Sequence, residues 1–442
     1  ASGRVEEALT AFDRSARILE RTTRNLPQDL DRVRFRDHQI AAFEGPIDLL
    51  LAEPASDSRV EALLAWSQRR KAAALALAVA GQSEPRQSML SIEQLRHRIP
   101  RGSALLDFLT IRQRSAVLLV TTLSASVVAL PLSPDSLTRL AEQLRGPMVQ
   151  AYAGQIDLAR AQFDSTAARQ LYAALLGPLE ERLTGVNRLL LVPDGALHYV
   201  PFDALVGPSG YLLDRFEIEL VPSAQFLPPR LASWQRPSGT DRILVVAHDA
   251  PGAEQEARAI RQTWPAGTVR TFEGVNASEA TVRSASASFR ILHFATHAEA
   301  DDREPAASHL RLAANAGADG FYHLGEIAAD HRRAELVVLS ACETESGPLY
   351  RGEGLMGLAR AFLSGGAGQV VATEWPVGAA TAELMREFHR RLAKGDEPGT
   401  ALRQAKLSLR RNVATGHPFY WAGFVLLRGA PGPGPAGRSP SA

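Results

Sequence analysis

Cysteine is almost missing from this chain: Cys342 is the only one in 442 residues. A lone thiol cannot close an internal disulfide, so a reducing, cytoplasmic setting is expected. Long apolar runs are missing as well. None reaches the roughly 18 residues that a membrane helix needs, and no signal peptide is visible. There is no excess of either charge, with 49 Lys+Arg against 48 Asp+Glu, and no basic run is interleaved with aromatics, so nothing calls for nucleic acid as a partner. What is there is 45% hydrophobic residues and mixed charge, the composition expected of a soluble globular protein, at a length that suggests two or three domains. The chain begins Ala1-Ser2-Gly3 without Met, as expected of either a processed chain or a fragment of a longer one.

Val5, Ala8, Leu9, Phe12, Ala16 and Leu19 recur at helical spacing. Two more helical patterns follow over 29–51 and 58–79, with breaks expected at Pro27, Gly45-Pro46 and Pro54. Residues 1–85 thus read as a helical region. Its small-residue pattern also looks like the tail of a tetratricopeptide array, although plain helix packing explains the same residues.

Three closely spaced strand patterns follow, at 104–110, 116–121 and 127–130, then helical patterns at 134–144 and 167–183. A strand from Leu189 leads into a Pro193-Asp194-Gly195 turn, and 216–221 reads as another strand. After a linker at 228–239 the chain alternates strand and helix up to the helix expected over 380–392, which argues a mostly parallel sheet covered on both faces. The stretch after Gly429 is low-complexity and expected to be disordered.

Within the alternating part, the apolar run 336–339 is followed at once by Ser340, Ala341 and Cys342, and the run ILHFATH, 291–297, ends in His297. The two residues lie 45 positions apart, enough for one crossover with an insertion. Ends of parallel strands line the reactive rim of such a sheet. A thiol attacks as thiolate and needs a base nearby, a part His297 can fill before protonating the leaving amine. Backbone N–H groups of Ala298 and Cys342 are the candidate oxyanion donors. The plain alternatives are a small buried thiol and a satisfied histidine.

Other patterns compete. Gly352-Glu353-Gly354-Leu355-Met356-Gly357 satisfies G-x-G-x-x-G, but the preceding strand ends near Leu339, too far upstream for a dinucleotide turn, so a flexible loop is the better reading. His293 and His297 stand at i and i+4, yet no H-E-x-x-H is present and no second cysteine exists to complete a zinc site. His293 is expected to be structural, and no metal or other cofactor is called for. His198 and Asp203 are better read as a turn and strand edge than as a catalytic pair.

The segments ILHFATH, ELVVLSACETESG, GEGLMGLARAFLSGGAGQVVATEWPV, HPFYWAGFVLL and LLLVPDGALHYVPFDAL resemble the CHAT domain, a prokaryotic relative of caspases and separases, over roughly 99–428. Helical repeats ahead of such a domain are its common arrangement. The resemblance implies a caspase-like α/β fold with a pseudo-half at 99–230 and an active half at 240–429. It also implies cysteine endopeptidase activity on protein or peptide substrates, with Cys342 and His297 as the dyad. The spacing agrees with the caspase pattern of a histidine upstream of an Ala-Cys pair.

Two departures bear on specificity. Glu343 and Thr344 follow the cysteine where caspases carry Gly, and Trp375 is followed by Pro376, Val377 and Gly378 where separase-like relatives carry an acid that would favour a basic P1 residue. Glu374, Asp249 and Glu343 are the candidate substrate-binding residues in its place, with Arg or Lys the weakly preferred P1. A further expectation is regulation by a protein partner through the helices. The loops at 301–317 and 343–353 would be mobile and would order on binding. The alternative is a catalytically silent scaffold acting as an interaction module.

Overall fold

The computed structural model describes residues 2–25, 31–78, 89–152, 154–157, 162–228, 234–240, 242–286, 288–299, 307–315, 317–330, 334–340, 342–343, 354–375, 377 and 380–429. Three helices come first: α1 (Ser2–Asn25), α2 (Asp31–Ala52) and α3 (Asp57–Ala78). A short helix α4 (Ile92–Arg98), closed by a Ser91 capping box, leads into β1 (Ser103–Ile111), β2 (Arg114–Val120) and β3 (Ala125–Ala129). Next come α5 (Pro134–Tyr152), α6 (Ser165–Leu175) and β4 (Arg188–Val192). The hairpin β5 (Val206–Gly207) and β6 (Gly210–Tyr211), helix α7 (Leu212–Arg215) and strand β7 (Glu217–Leu220) complete this part.

The following part runs β8 (Ile243–His248), α8 (Ala253–Thr263), β9 (Val269–Glu273), α9 (Glu279–Ser286) and β10 (Ile291–Glu299). Then come β11 (His309–Arg311), β12 (Phe321–His323), α10 (Leu324–Ala329), β13 (Leu336–Leu339) and β14 (Cys342–Glu343). The chain continues with α11 (Gly354–Ser364), β15 (Gln369–Thr373), α12 (Ala380–Lys394), α13 (Pro398–Arg411) and β16 (Phe424–Arg428).

Among the described residues, all strands but β5 and β6 join one 14-stranded sheet, its main path β12-β11-β10-β13-β15-β16-β7-β4-β1-β2-β3, with β8 and β14 pairing β10 off this path and β9 pairing β8. It is mostly parallel. β8, β10, β13 and β15 run together, β1, β4, β7 and β16 run together, and the antiparallel pair β15–β16 joins the two sets. The two sets therefore present their carboxyl ends on opposite edges of one sheet. β13 is buried at every position, as expected of a strand covered on both faces. Alternate residues of β10 feed two cores. Leu292 and Phe294 meet residues of α10 and α11, whereas Ile291 and Ala295 meet residues of α8, α12 and α13.

The structure corrects four expectations. No break occurs at Gly45-Pro46, because α2 runs through Pro46. Buried Phe43, Ile47 and Leu50 on either side of it anchor the helix, so packing outweighs the lost hydrogen bond. At Gly45 a Cβ would lie 2.7 Å from the Phe12 ring, which makes it the point where α1 lies against α2. The helix expected over 167–183 ends at Leu175, and Gly177–Leu183 is a tighter 3₁₀ turn opened by Pro178. Within the loop expected at 301–317, His309–Arg311 is a strand paired with β10. The flexible loop expected at the G-x-G-x-x-G stretch is corrected too, because Gly354–Gly357 is the first turn of α11, while Gly352 and Glu353, the expected break at Pro27 and the 430–442 tail lie outside the described residues.

Candidate active site

The carboxyl edge of β10, β13 and β15 gathers most of the candidate residues. β10 outlasts β13 by several residues, and its far end takes a new parallel partner, β14, in the register His297↔Cys342 and Ala298↔Glu343. Adjacent strands lie about 4.8 Å apart, so His297 and Cys342 occupy one register position of neighbouring strands. The imidazole-bearing residue is buried, at 7% exposure. Cys342 lies in a two-residue strand resumed beyond Ser340, whose N–H donates to the Phe294 carbonyl at 2.9 Å. Ala298 is fully buried and pairs with Leu310 on one side and Glu343 on the other.

β8 flanks β10 on its other side up to the pair Thr296↔His248. Asp249 follows at once in the left-handed region, φ 52°, which Asp tolerates better than most residues and which ends the strand. Its carboxylate is half exposed and 3.8 Å from the Arg311 guanidinium. Asp249 thus stands at the rim beside His297.

Glu374 occupies a different environment. It follows β15, two strands from β10, with its N–H on the Gly423 carbonyl and its own carbonyl accepting from Arg145. Both carboxylate oxygens are buried without a hydrogen-bond partner among the described residues. Burial pushes this carboxyl up to about 8, with nearby Arg145 and Lys406 opposing the rise and Asp203 adding to it. Ser340 Oγ and Thr373 Oγ1, at the carboxyl ends of β13 and β15, are likewise buried and unpartnered among the described residues. Buried polar atoms are normally paired, so the partners of these groups come from outside the described residues, whether from the neighbouring chain or from a bound molecule. Neither sequence spacing nor composition signals this.

His293 lies four residues before His297 and takes part in a buried chain. Trp264 Nε1–H donates to His389 Nδ1 at 3.2 Å, His389 Nε2 meets His293 Nδ1 at 3.1 Å, and His293 Nε2 meets Glu256 Oε1 at 2.7 Å. The indole can only donate, so each imidazole carries its proton on Nε2 and passes one hydrogen bond along to the carboxylate. Burial and His293 hold His389 well below the ordinary histidine range. The chain ties α8 and α12 to β10. Among the described residues no group of three His, Cys, Asp or Glu could hold a metal ion.

His198 and Asp203 do not share a partner. Asp203 forms a buried ion pair with Lys406 of α13, while burial and Arg360 depress His198 to about 3. Trp375, fully buried, donates to the Phe419 carbonyl at 2.9 Å, and a Cβ on Gly423 would lie 2.8 Å from its ring. The tryptophan after Glu374 and the HPFYWAGFVLL stretch therefore pack as one unit.

The CHAT domain family matches residues 165–429, more than half of the chain. The chain belongs to the CHAT domain family. Among curated proteins it is similar to the human tetratricopeptide repeat protein 28, 29% identical over 60% of this chain and 13% of that protein. The mouse protein of the same name is 28% identical over 59% and 13%. The chain therefore spans only a small part of these relatives. Among solved structures it is similar to two crystal structures of the Saccharomyces cerevisiae separase–securin complex. The first has a TM-score of 0.57 at 11% identity, and the second 0.51 at 10%; each covers 97% of this chain and 40% of that chain. At such identities the likeness is one of fold, and it makes this CHAT chain separase-like in architecture.

Proposed function

We propose that this CHAT chain is a caspase-like cysteine endopeptidase. In this reading Cys342 is the nucleophile and His297 the general base and acid. The observation that carries it is the ladder pair His297↔Cys342 at the carboxyl edge of the sheet. The Cys342 thiolate attacks the scissile carbonyl, and backbone N–H groups of Ala298 and Cys342 receive the oxyanion. His297 delivers the thiol proton to the leaving amine, then draws a proton from the water that cleaves the thioester. The unpaired Ser340, Thr373 and Glu374 groups support a substrate cleft running along the same edge.

For the P1 side chain the reading keeps a preference for Arg or Lys, with Asp249 or Glu374 as the acid that meets it and Glu343 as a further contact. Glu374, held protonated by burial, would ionise when a cation enters beside it. A protein activator reaching the helical region, and a cytoplasmic setting, belong to the same proposal.

The test is labelling by an arginyl chloromethyl ketone peptide, read by intact mass and peptide mapping. One adduct on Cys342, slowed strongly by His297→Ala, supports the dyad. An adduct elsewhere, or labelling indifferent to His297→Ala, rejects it.

A further inference from the structure

Far from the His297 edge, a cavity of about 390 Å³ opens where the helical region meets the outer hairpin of the sheet. Leu51 at the end of α2 and Arg59 in the first turn of α3 form one wall. Arg114 and Ser115 at the start of β2 form the floor, and Leu130 and Leu132 after β3 close it. The volume lies within the range of small-molecule sites, and junctions between structural units are where such sites tend to occur.

Two polar atoms at this cavity have nothing to bond to among the described residues: Arg59 Nε and Ser115 Oγ, both buried. Ser115 is 5% exposed, so bulk water does not serve its hydroxyl. Arg59 is otherwise held in place by a hydrogen bond from its guanidinium to the Leu51 carbonyl at 3.2 Å, which leaves Nε–H free to donate. Arg114 is half exposed, with Nε 3.2 Å from Asp48. Among the described residues no acidic side chain lines the cavity itself.

The sign and the number of donors select the ligand. Two arginines, one already matched by Asp48, leave about one positive charge unmatched, which suits a monoanion better than a dianionic phosphate. An Arg N–H and a hydroxyl in the lining of one cavity can each serve an oxygen of one carboxylate, and Leu130 and Leu132 favour an apolar body behind it. We propose that this cavity binds a small organic monocarboxylate, its carboxylate held by Arg59 and Ser115 and its hydrocarbon part lying against Leu130 and Leu132. The site is separate from the proposed peptidase centre and does not depend on it.

The test is ligand-observed NMR and thermal unfolding of the whole chain with hexanoate, benzoate and phenylacetate, each beside its neutral amide, and with inorganic phosphate. The acids should bind at least about tenfold more tightly than their amides, the worth of one charge-assisted hydrogen bond. Ser115→Ala and Arg59→Gln should each remove that preference while circular dichroism stays unchanged, and Cys342→Ala should leave it intact. Equal binding of acid and amide, a preference that survives both substitutions, tighter binding of phosphate, or no binding of any acid at millimolar concentration would overturn the proposal.

Discussion

Lys71 of α3 and Asp107 of β1 form a buried ion pair that locks the helical region onto the sheet. The ammonium also donates to the Phe108 carbonyl at 2.8 Å and the Val192 carbonyl at 3.2 Å, and Ser67 donates to the same carboxylate. The preceding residue, Arg70, pairs with Asp194, which also accepts from the Thr110 N–H at 2.7 Å. The helices are thus keyed into the middle and carboxyl half of β1 and the end of β4, toward the edge opposite His297.

Removing one partner of such a pair leaves a charge stranded in the core. Lys71→Met should cost about 3–5 kcal/mol of unfolding free energy, read from the urea midpoint, and Lys71→Met with Asp107→Leu should recover much of it. A single variant as stable as the parent would show that the helices do not depend on this lock.

Glu374 gives a pH signature. Its carboxyl titrates at about 8 in the fold against an ordinary 4.5, so between those values the folded state holds a proton that the unfolded chain has released. Its contribution to stability is full below pH 4.5 and is lost as pH rises through 8, at no more than about 1.4 kcal/mol per pH unit. Unfolding curves from pH 5 to 9 should show the parent losing ground to Glu374→Gln as pH rises. Parallel curves would mean that the carboxylate finds a partner.

The histidine chain makes the opposite prediction. A base whose folded pKa lies far below 6.5 contributes stability that is lost as pH falls below about 6.5, because the unfolded chain takes up a proton that the fold refuses. Nitrogen-15 shifts should show His389 as the neutral Nε2–H form from pH 8 down to 5. Protonation of that ring near pH 6.5 in the folded protein would contradict the hydrogen-bond order from Trp264 to Glu256.

The strands that place the dyad were legible because 291–297 and 336–339 are apolar runs with one placement, buried on both faces. The family was legible from several motifs in order. β14 was not, because two residues beyond a two-residue gap carry no periodic signal and form a strand only when β10 extends to meet them. Nor was α13, whose Ala401, Leu402, Ala405 and Leu409 are buried amid arginines and a Pro-Gly start. The setting of Glu374 was hidden for a different reason. Arg145, Asp203 and Lys406 come from three remote stretches that only the packed fold assembles.

The central claim is peptide-bond cleavage by Cys342 with His297, and a whole-proteome peptide library read by mass spectrometry tests it directly. The account predicts cuts by the parent chain, enriched after Arg or Lys, that vanish with Cys342→Ala and fall sharply with His297→Ala. Cuts that persist in Cys342→Ala, or a parent that leaves the library intact, would contradict it.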